Sequence, residues 1–169
     1  MVQHFNLTKT EIHNLFEFMY EAHLNTYAAS RELNLKYQLN PPKNKGHIEY
    51  LFKRGAWEYH DSYIGEINVP GKEIIYYKDM PVWAMAYQST IITKDPEIVI
   101  DTYNFLKKAL QNCSPETPFR GPSEFEDGYF LYTFIINKGD YKNFCANEKI
   151  YYKGQEIYTN NIIGGVILS

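Results

Sequence analysis

This sequence predicts an α+β domain made of two pseudo-symmetric halves, each a helix followed by antiparallel strands, and three observations carry the prediction. First, 17% of the 169 residues are aromatic, with 16 Tyr and 10 Phe, residue types that favour pleated, half-buried surfaces. Second, the chain echoes itself. Phe52-Lys-Arg-Gly55-Ala-Trp57-Glu-Tyr59 matches Phe125-Glu-Asp-Gly128-Tyr-Phe130-Leu-Tyr132, and Glu73-Ile-Ile75-Tyr76-Tyr77-Lys78 matches Glu148-Lys-Ile150-Tyr151-Tyr152-Lys153, at offsets of 73 and 75 residues. Third, each strand-rich stretch follows a clearly signalled helix. The expected unit is one domain over residues 1–169, with halves at about 8–90 and 95–169, forming one curved sheet with helices on one face.

The first helix opens at Thr8, where Thr8 and Glu11 make a T-x-x-E capping box and Leu7 with Ile12 a hydrophobic staple. Ile12, Leu15, Phe16, Met19 and Ala22 then recur at helical spacing to about residue 24. His13 and His23 fit no metal-binding spacing and read as ordinary helix positions. Residues 25–46 are polar and end in Asn40-Pro41-Pro42-Lys43-Asn44-Lys45-Gly46, which predicts a long loop, either a lid or a disordered segment.

Strands are expected at His47–Lys53, Ala56–Tyr63, Lys72–Lys78 and Val82–Ser89, with clean period-two alternation in the last. Asp95 caps the second helix, with Pro96 at its first position and Val99, Tyr103, Leu106 and Leu110 along one face. Beyond the Phe119-Arg120-Gly121-Pro122 turn, further strands are expected at about 129–137, 147–152, 155–159 and 162–168. Turns are expected at Lys138-Gly139 and Lys153-Gly154.

Composition narrows the function classes. The net charge of −3 conceals a basic strip over residues 31–54 that sums to +4, leaving −7 elsewhere. Such a strip suits a small anion, or a solvated loop, better than a nucleic-acid track. No window reaches the roughly 18 apolar residues of a membrane span, and Met1 to Leu7 has no secretory-signal pattern. Cys113 and Cys145 lack metal-like spacing, so reduced thiols in a cytoplasmic protein are expected. Neither a metal nor a cofactor is expected.

The stretch Trp57-Glu58-Tyr59-His60-Asp61-Ser62-Tyr63 holds the most chemistry. Alternation places Trp57, Tyr59, Asp61 and Tyr63 on one face, with Glu58, His60 and Ser62 on the other. A carboxylate on an aromatic face needs a partner, and Arg120, the only Arg of the second half, is the expected one. His60-Asp61-Ser62 has the residue types of a hydrolase triad, but neighbours on a strand point to opposite sides, so the geometry is wrong. Gly164-Gly165 reads as a bulge or a close backbone approach.

Asn25-Thr26-Tyr27-Ala28, Tyr59-x-Asp61-Ser62-Tyr63-x-Gly65, Gly71-x-Glu73, Pro81-Val82-Trp83-x-Met85-x-Tyr87, Phe119-Arg120-Gly121 and Gly164-Gly165 resemble, in that order, a bacterial domain family of unknown function. The resemblance covers roughly residues 20–169. That family occurs alone or C-terminal to a helix-turn-helix of the XRE repressor type, which implies a domain that senses a ligand or answers to a partner. Ala29-Ser30-Arg31-Glu32 replaces the Gly-rich stretch usual after the position of Tyr27.

The expected function is non-catalytic binding or sequestration of a small anionic, ring-containing ligand such as a nucleotide derivative, in an aromatic pocket between the halves. Tyr27, Asp61, Tyr63, Glu73, Trp83, Tyr87 and Arg120 are the expected ligand-binding residues. Tyr63, Trp83 and Tyr87 would stack, Arg120 would hold the anion as a bidentate donor, and Asp61 and Glu73 would accept from ribose hydroxyls or base amines. One alternative is an enzyme on a nucleotide or nucleoside, with Asp61 or Glu73 as general base and Arg120 as electrostatic stabiliser. Another is a protein-interaction module using a Tyr-rich sheet face. Homo-oligomerisation stays open.

Overall fold

The computed structural model describes residues 8–167. Helix α1 spans Lys9–Asn25, and the expected capping box is formed, with Thr8 accepting from the Glu11 backbone and the Glu11 carboxylate accepting from Thr8. Leu7, and with it the staple, lies outside the described residues. The buried stripe of α1 is Leu15, Phe18, Met19, Ala22 and His23, so the inward face is rotated to include Phe18 and His23.

Residues 25–46 are not all loop. Ser30 accepts from the Leu33 backbone and starts a short helix α2, Arg31–Tyr37, where Glu, Leu and Lys supply good helix formers. Beyond it, Gln38 bridges to Tyr50 and the Leu39 N–H donates to the Glu49 carbonyl at 2.8 Å. This segment therefore runs along the edge of the first strand.

Eight strands follow: β1 Ile48–Arg54, β2 Trp57–Tyr63, β3 Asn68–Tyr77, β4 Met80–Ile91, then α3 Pro96–Gln111, and β5 Glu124–Asp127, β6 Phe130–Asp140, β7 Asn143–Tyr152 and β8 Gln155–Val166. Asp95 caps α3, with Pro96 in its first turn. The first-half strands sit where the sequence places them, though β3 and β4 are longer. Three second-half expectations change. Strand β5 is acidic and short, a composition that hides strands. The segments expected at 155–159 and 162–168 merge into one strand that ends at Val166, because Asn160 and Asn161 are paired on both sides, to β4 and to β7; residue 168 lies outside the described residues. Lys138-Gly139 is no turn but an irregularity inside β6, where the register shifts between Ile136 and Lys138.

All eight strands form one antiparallel sheet in the order β1-β2-β3-β4-β8-β7-β6-β5. Each run of four strands is a simple meander, and the two meanders meet at β4 and β8. The β3–β4 register shifts between Ile75 and Tyr76, and the β7–β8 register between Ile150 and Tyr151. Helix α1 covers the first meander through Phe18, whose ring lies 5.7 Å from both Phe52 and Trp57. Helix α3 covers the second through Phe105, 5.7 Å from Phe125 and 5.0 Å from Phe130. Between them the core is filled by Trp83, Phe119 and Phe144.

The other sheet face carries a polar anchor. Glu49 is fully buried, and its carboxylate accepts from the Lys43 and Asn44 backbone, the Asn44 side chain and Ser62 Oγ. His47 Nδ1 lies 2.9 Å from Ser62 Oγ. Glu49 and Ser62 thus tie down residues 43–47, and as expected neither His60 nor Ser62 shares a face with Asp61.

Candidate functional site

Strand alternation delivers Tyr59, Asp61 and Tyr63 to the helix-covered face of β2. The antiparallel register sets Asp61 directly opposite Glu73 on β3, and Glu73 opposite Met85 on β4. Two carboxylates on adjacent strands, each only 3% exposed, therefore meet at the base of a cavity of about 260 Å³ between the sheet, the end of α1 and the flank of α3. Tyr27, Tyr59, Tyr63, Tyr87, Tyr103 and Tyr158 line it, together with His23, Lys107 and Arg120.

The carboxylates have unequal surroundings. His23 Nε2 lies 2.8 Å from Glu73 Oε2, and Arg120 Nη1 lies 3.8 Å from Glu73 Oε1. Among side chains, Asp61 accepts from a phenol, with Tyr87 Oη donating at 3.0 Å; the Ser62 backbone N–H also bonds to it, and it makes no ion pair among the described residues. Burial, and then the Glu73 charge, push the Asp61 carboxyl well above the usual carboxylate range. Tyr87 can reach Asp61 because its ring packs over Gly71, where a Cβ would stand 2.3 Å from Tyr87 Cζ.

Arg120 faces the same cavity, but its fork is occupied. Its Nε and Nη2 donate to the two oxygens of Glu148 at 2.8 and 2.6 Å. Glu148, wholly buried, also accepts from Tyr132 and Tyr158 hydroxyls and from Asn160 Nδ2. Burial alone would raise the Glu148 carboxyl, but the Arg120 charge and these hydrogen bonds hold it below its ordinary value. The expected Asp61–Arg120 pair is replaced by Arg120–Glu148, because five donors converge on Glu148 of β7: two from Arg120 in the α3–β5 connection, one from Tyr132 of β6, and two from Tyr158 and Asn160 of β8. The bidentate geometry anticipated for a ligand anion is taken by this carboxylate.

Of the seven residues singled out in the sequence, Tyr27, Asp61, Tyr63, Glu73, Tyr87 and Arg120 line the cavity. Trp83 does not. It lies further along the same face of β4, fully buried between Phe119 and Phe144, and is a core residue with no access to a ligand. His23, an ordinary helix position by sequence, is instead Glu73's closest partner. Lys107 and Glu148 were also missed. Glu148 had a signal, since it is the match of Glu73 in the repeated block, whereas Lys107 had none beyond standing four residues after Tyr103 on the helix.

Among the described residues no cluster of His, Cys, Asp and Glu could hold a metal ion, and no helix is long and apolar enough to cross a membrane. Fold and cavity together define a mixed helix-and-strand domain whose single sheet carries paired buried acids beneath a tyrosine wall. The chain belongs to the DUF5680 family, a domain of unknown function, which matches residues 61–167. No curated protein and no solved structure matches the chain.

Proposed function

We propose that this domain binds, without turning it over, a small ring-containing ligand of nucleoside size, with Asp61 and Glu73 accepting from its N–H or hydroxyl donors. The observation that carries the reading is the Asp61–Glu73 pair beneath the tyrosines. Glu73 lies against His23 and Arg120, while Asp61 has a single side-chain partner, the Tyr87 phenol, and faces the cavity. Buried acids without full partners are costly, and a donor-bearing ring would relieve that cost. Tyr27, Tyr63 and Tyr87 supply the aromatic walls. Arg120 serves in this reading by fixing Glu148 and facing Glu73.

A volume of about 260 Å³ lies just under the usual range of about 300–1,000 Å³ for small-molecule pockets. It suits a base or nucleoside core, with larger substituents projecting from the mouth. The two meanders are read as copies related by a pseudo-twofold axis near β4 and β8, which makes Glu73 and Glu148 sister residues with different partners. Acting in the cytoplasm, such a domain sequesters its ligand or reports its level to a partner.

The test is thermal and chemical stabilisation across a panel of nucleobases, nucleosides and nucleotides. A ligand at 100 times its dissociation constant adds about 2.7 kcal/mol, and Asp61→Asn should reduce that gain. A flat panel counts against the reading. One observation favours a second reading: the raised Asp61 carboxyl is the kind of group that acts as a general acid or base. Turnover of a bound panel member, lost in Asp61→Asn, would make the domain an enzyme.

A further inference from the structure

We infer that Lys107 is the anion-recognising side chain of this pocket, and that the ligand carries a phosphate at the end that reaches the rim. This rests on the binding reading above and adds to it the charge of the ligand and the residue that meets it.

Helix α3 presents Tyr103 and Lys107 one turn apart on one face, and both line the cavity. The Tyr103 hydroxyl donates to the Glu66 carbonyl, which pins the β2–β3 connection against the helix. Lys107 Nζ lies over the Tyr27 ring, 5.2 Å from its centroid. The rim of the cavity is thus built from Tyr27, Tyr103, Glu66 and Lys107, while Asp61 and Glu73 lie at its base.

What sets Lys107 apart is partial burial without a counter-charge: of the described lysines only Lys107 and Lys149 are not exposed, and Lys149 is paired with Glu156. Lys53, Lys108 and Lys149 are each paired with a carboxylate at 2.5–2.7 Å. Lys107 is half-buried and forms no ion pair among the described residues, although Glu66 lines the same cavity. Partial burial pulls its ammonium below the ordinary lysine range, as expected for a cation removed from water without compensation. The aromatic ring under it orients the ammonium but leaves its charge unneutralised. Arg120 cannot serve the same purpose, because Glu148 holds its fork. The pocket is therefore polarised, acidic at the base and cationic at the rim, and the complementary molecule has ring donors at one end and a phosphate at the other.

The experiment compares adenosine, guanosine, cytidine and uridine with their 5′-monophosphates by calorimetry on the wild type, Lys107→Gln and Lys107→Arg. In the wild type the monophosphate of the preferred base should bind about tenfold tighter than its nucleoside. That ratio should fall to about one in Lys107→Gln, and Lys107→Arg should restore most of it. Circular dichroism and the thermal midpoint establish that the variants fold. A nucleoside that binds with no gain from its phosphate, or a gain that survives in Lys107→Gln, overturns the inference and leaves the binding reading standing. Silence from nucleosides and monophosphates alike overturns both.

Discussion

Replacing Glu148 should be among the most damaging single changes to this fold, and the structure gives the size of the effect. Glu148→Leu removes the acceptor of five hydrogen bonds and leaves Arg120 buried, with Glu73 at 3.8 Å as its nearest carboxylate. Breaking a buried pair by deleting one partner costs about 3–5 kcal/mol. The orphaned Tyr132, Tyr158 and Asn160 donors push this single variant toward the upper end. Arg120→Met leaves Glu148 its phenols and amide, and should cost less. In the double variant neither charge is stranded, so its loss should fall short of the sum of the singles by about 2 kcal/mol, near the top of the range for coupled neighbours. Urea unfolding of the four proteins, followed by far-UV circular dichroism, measures the cycle. Additivity within about 0.5 kcal/mol would mean that the two groups act independently, and the account of Arg120 as Glu148's partner would be refuted.

Asp61 predicts a pH effect of the opposite sign to that of an ordinary ion-paired acid. Its carboxyl is raised on folding by burial and the Glu73 charge, so its stabilising share is complete below the ordinary aspartate value of 3.8 and is lost as pH rises through the folded value. The slope reaches about −1.4 kcal/mol per pH unit in that window. The stability of Asp61→Asn relative to wild type should therefore climb with pH over the same interval, and a flat difference in urea midpoints would contradict the assignment. Glu148, lowered by Arg120, works the other way, adding stability above 4.5 that is lost as pH falls through its folded value. Gly71→Ala would set a methyl group 2.3 Å from the Tyr87 ring, costing about 1–3 kcal/mol and loosening the Tyr87–Asp61 hydrogen bond. Wild-type stability and ligand affinity in that variant would show the ring to be free to move. Gly164→Ala meets Met85 Cβ at 2.6 Å and the Ala84 carbonyl at 2.8 Å, so thermal melts should show a loss at the β4–β8 pair, where backbone has to move.

The local rules that sequence exposes were the ones obeyed here. The Thr8 capping box, the Asp95-Pro96 helix start and the alternation of Trp57 to Tyr63 all depend on residues within a turn or two, and each was legible. So was the concentration of site residues on one strand face, because alternation alone puts Tyr59, Asp61 and Tyr63 together. Pairings across the chain were not. Arg120 finds Glu148 rather than Asp61 because of the order in which strands assemble, and no local pattern encodes that order. Trp83 and Tyr87 share a face of β4, so periodicity could not tell that one lies in the core and the other over the cavity. His23 entered the core through a small rotation of α1, which a five-residue apolar stripe does not resolve. Strand β5 was concealed by its acidic composition.

The placement of β8 bears on how the molecule is made. It is synthesised after every other described strand, yet it is inserted between β4 and β7 at the middle of the sheet. Until residues 155–166 leave the ribosome, two four- and three-stranded ribbons present open interior rims, and neither can complete its hydrogen bonding. Non-local closure of this kind is slow and leaves sticky intermediates. A nascent chain halted before Gln155 should therefore need a chaperone, whereas in the complete sheet the edges among the described residues are β1, already flanked by the 38–47 segment, the four-residue β5 and the part of β6 that β5 leaves unpaired.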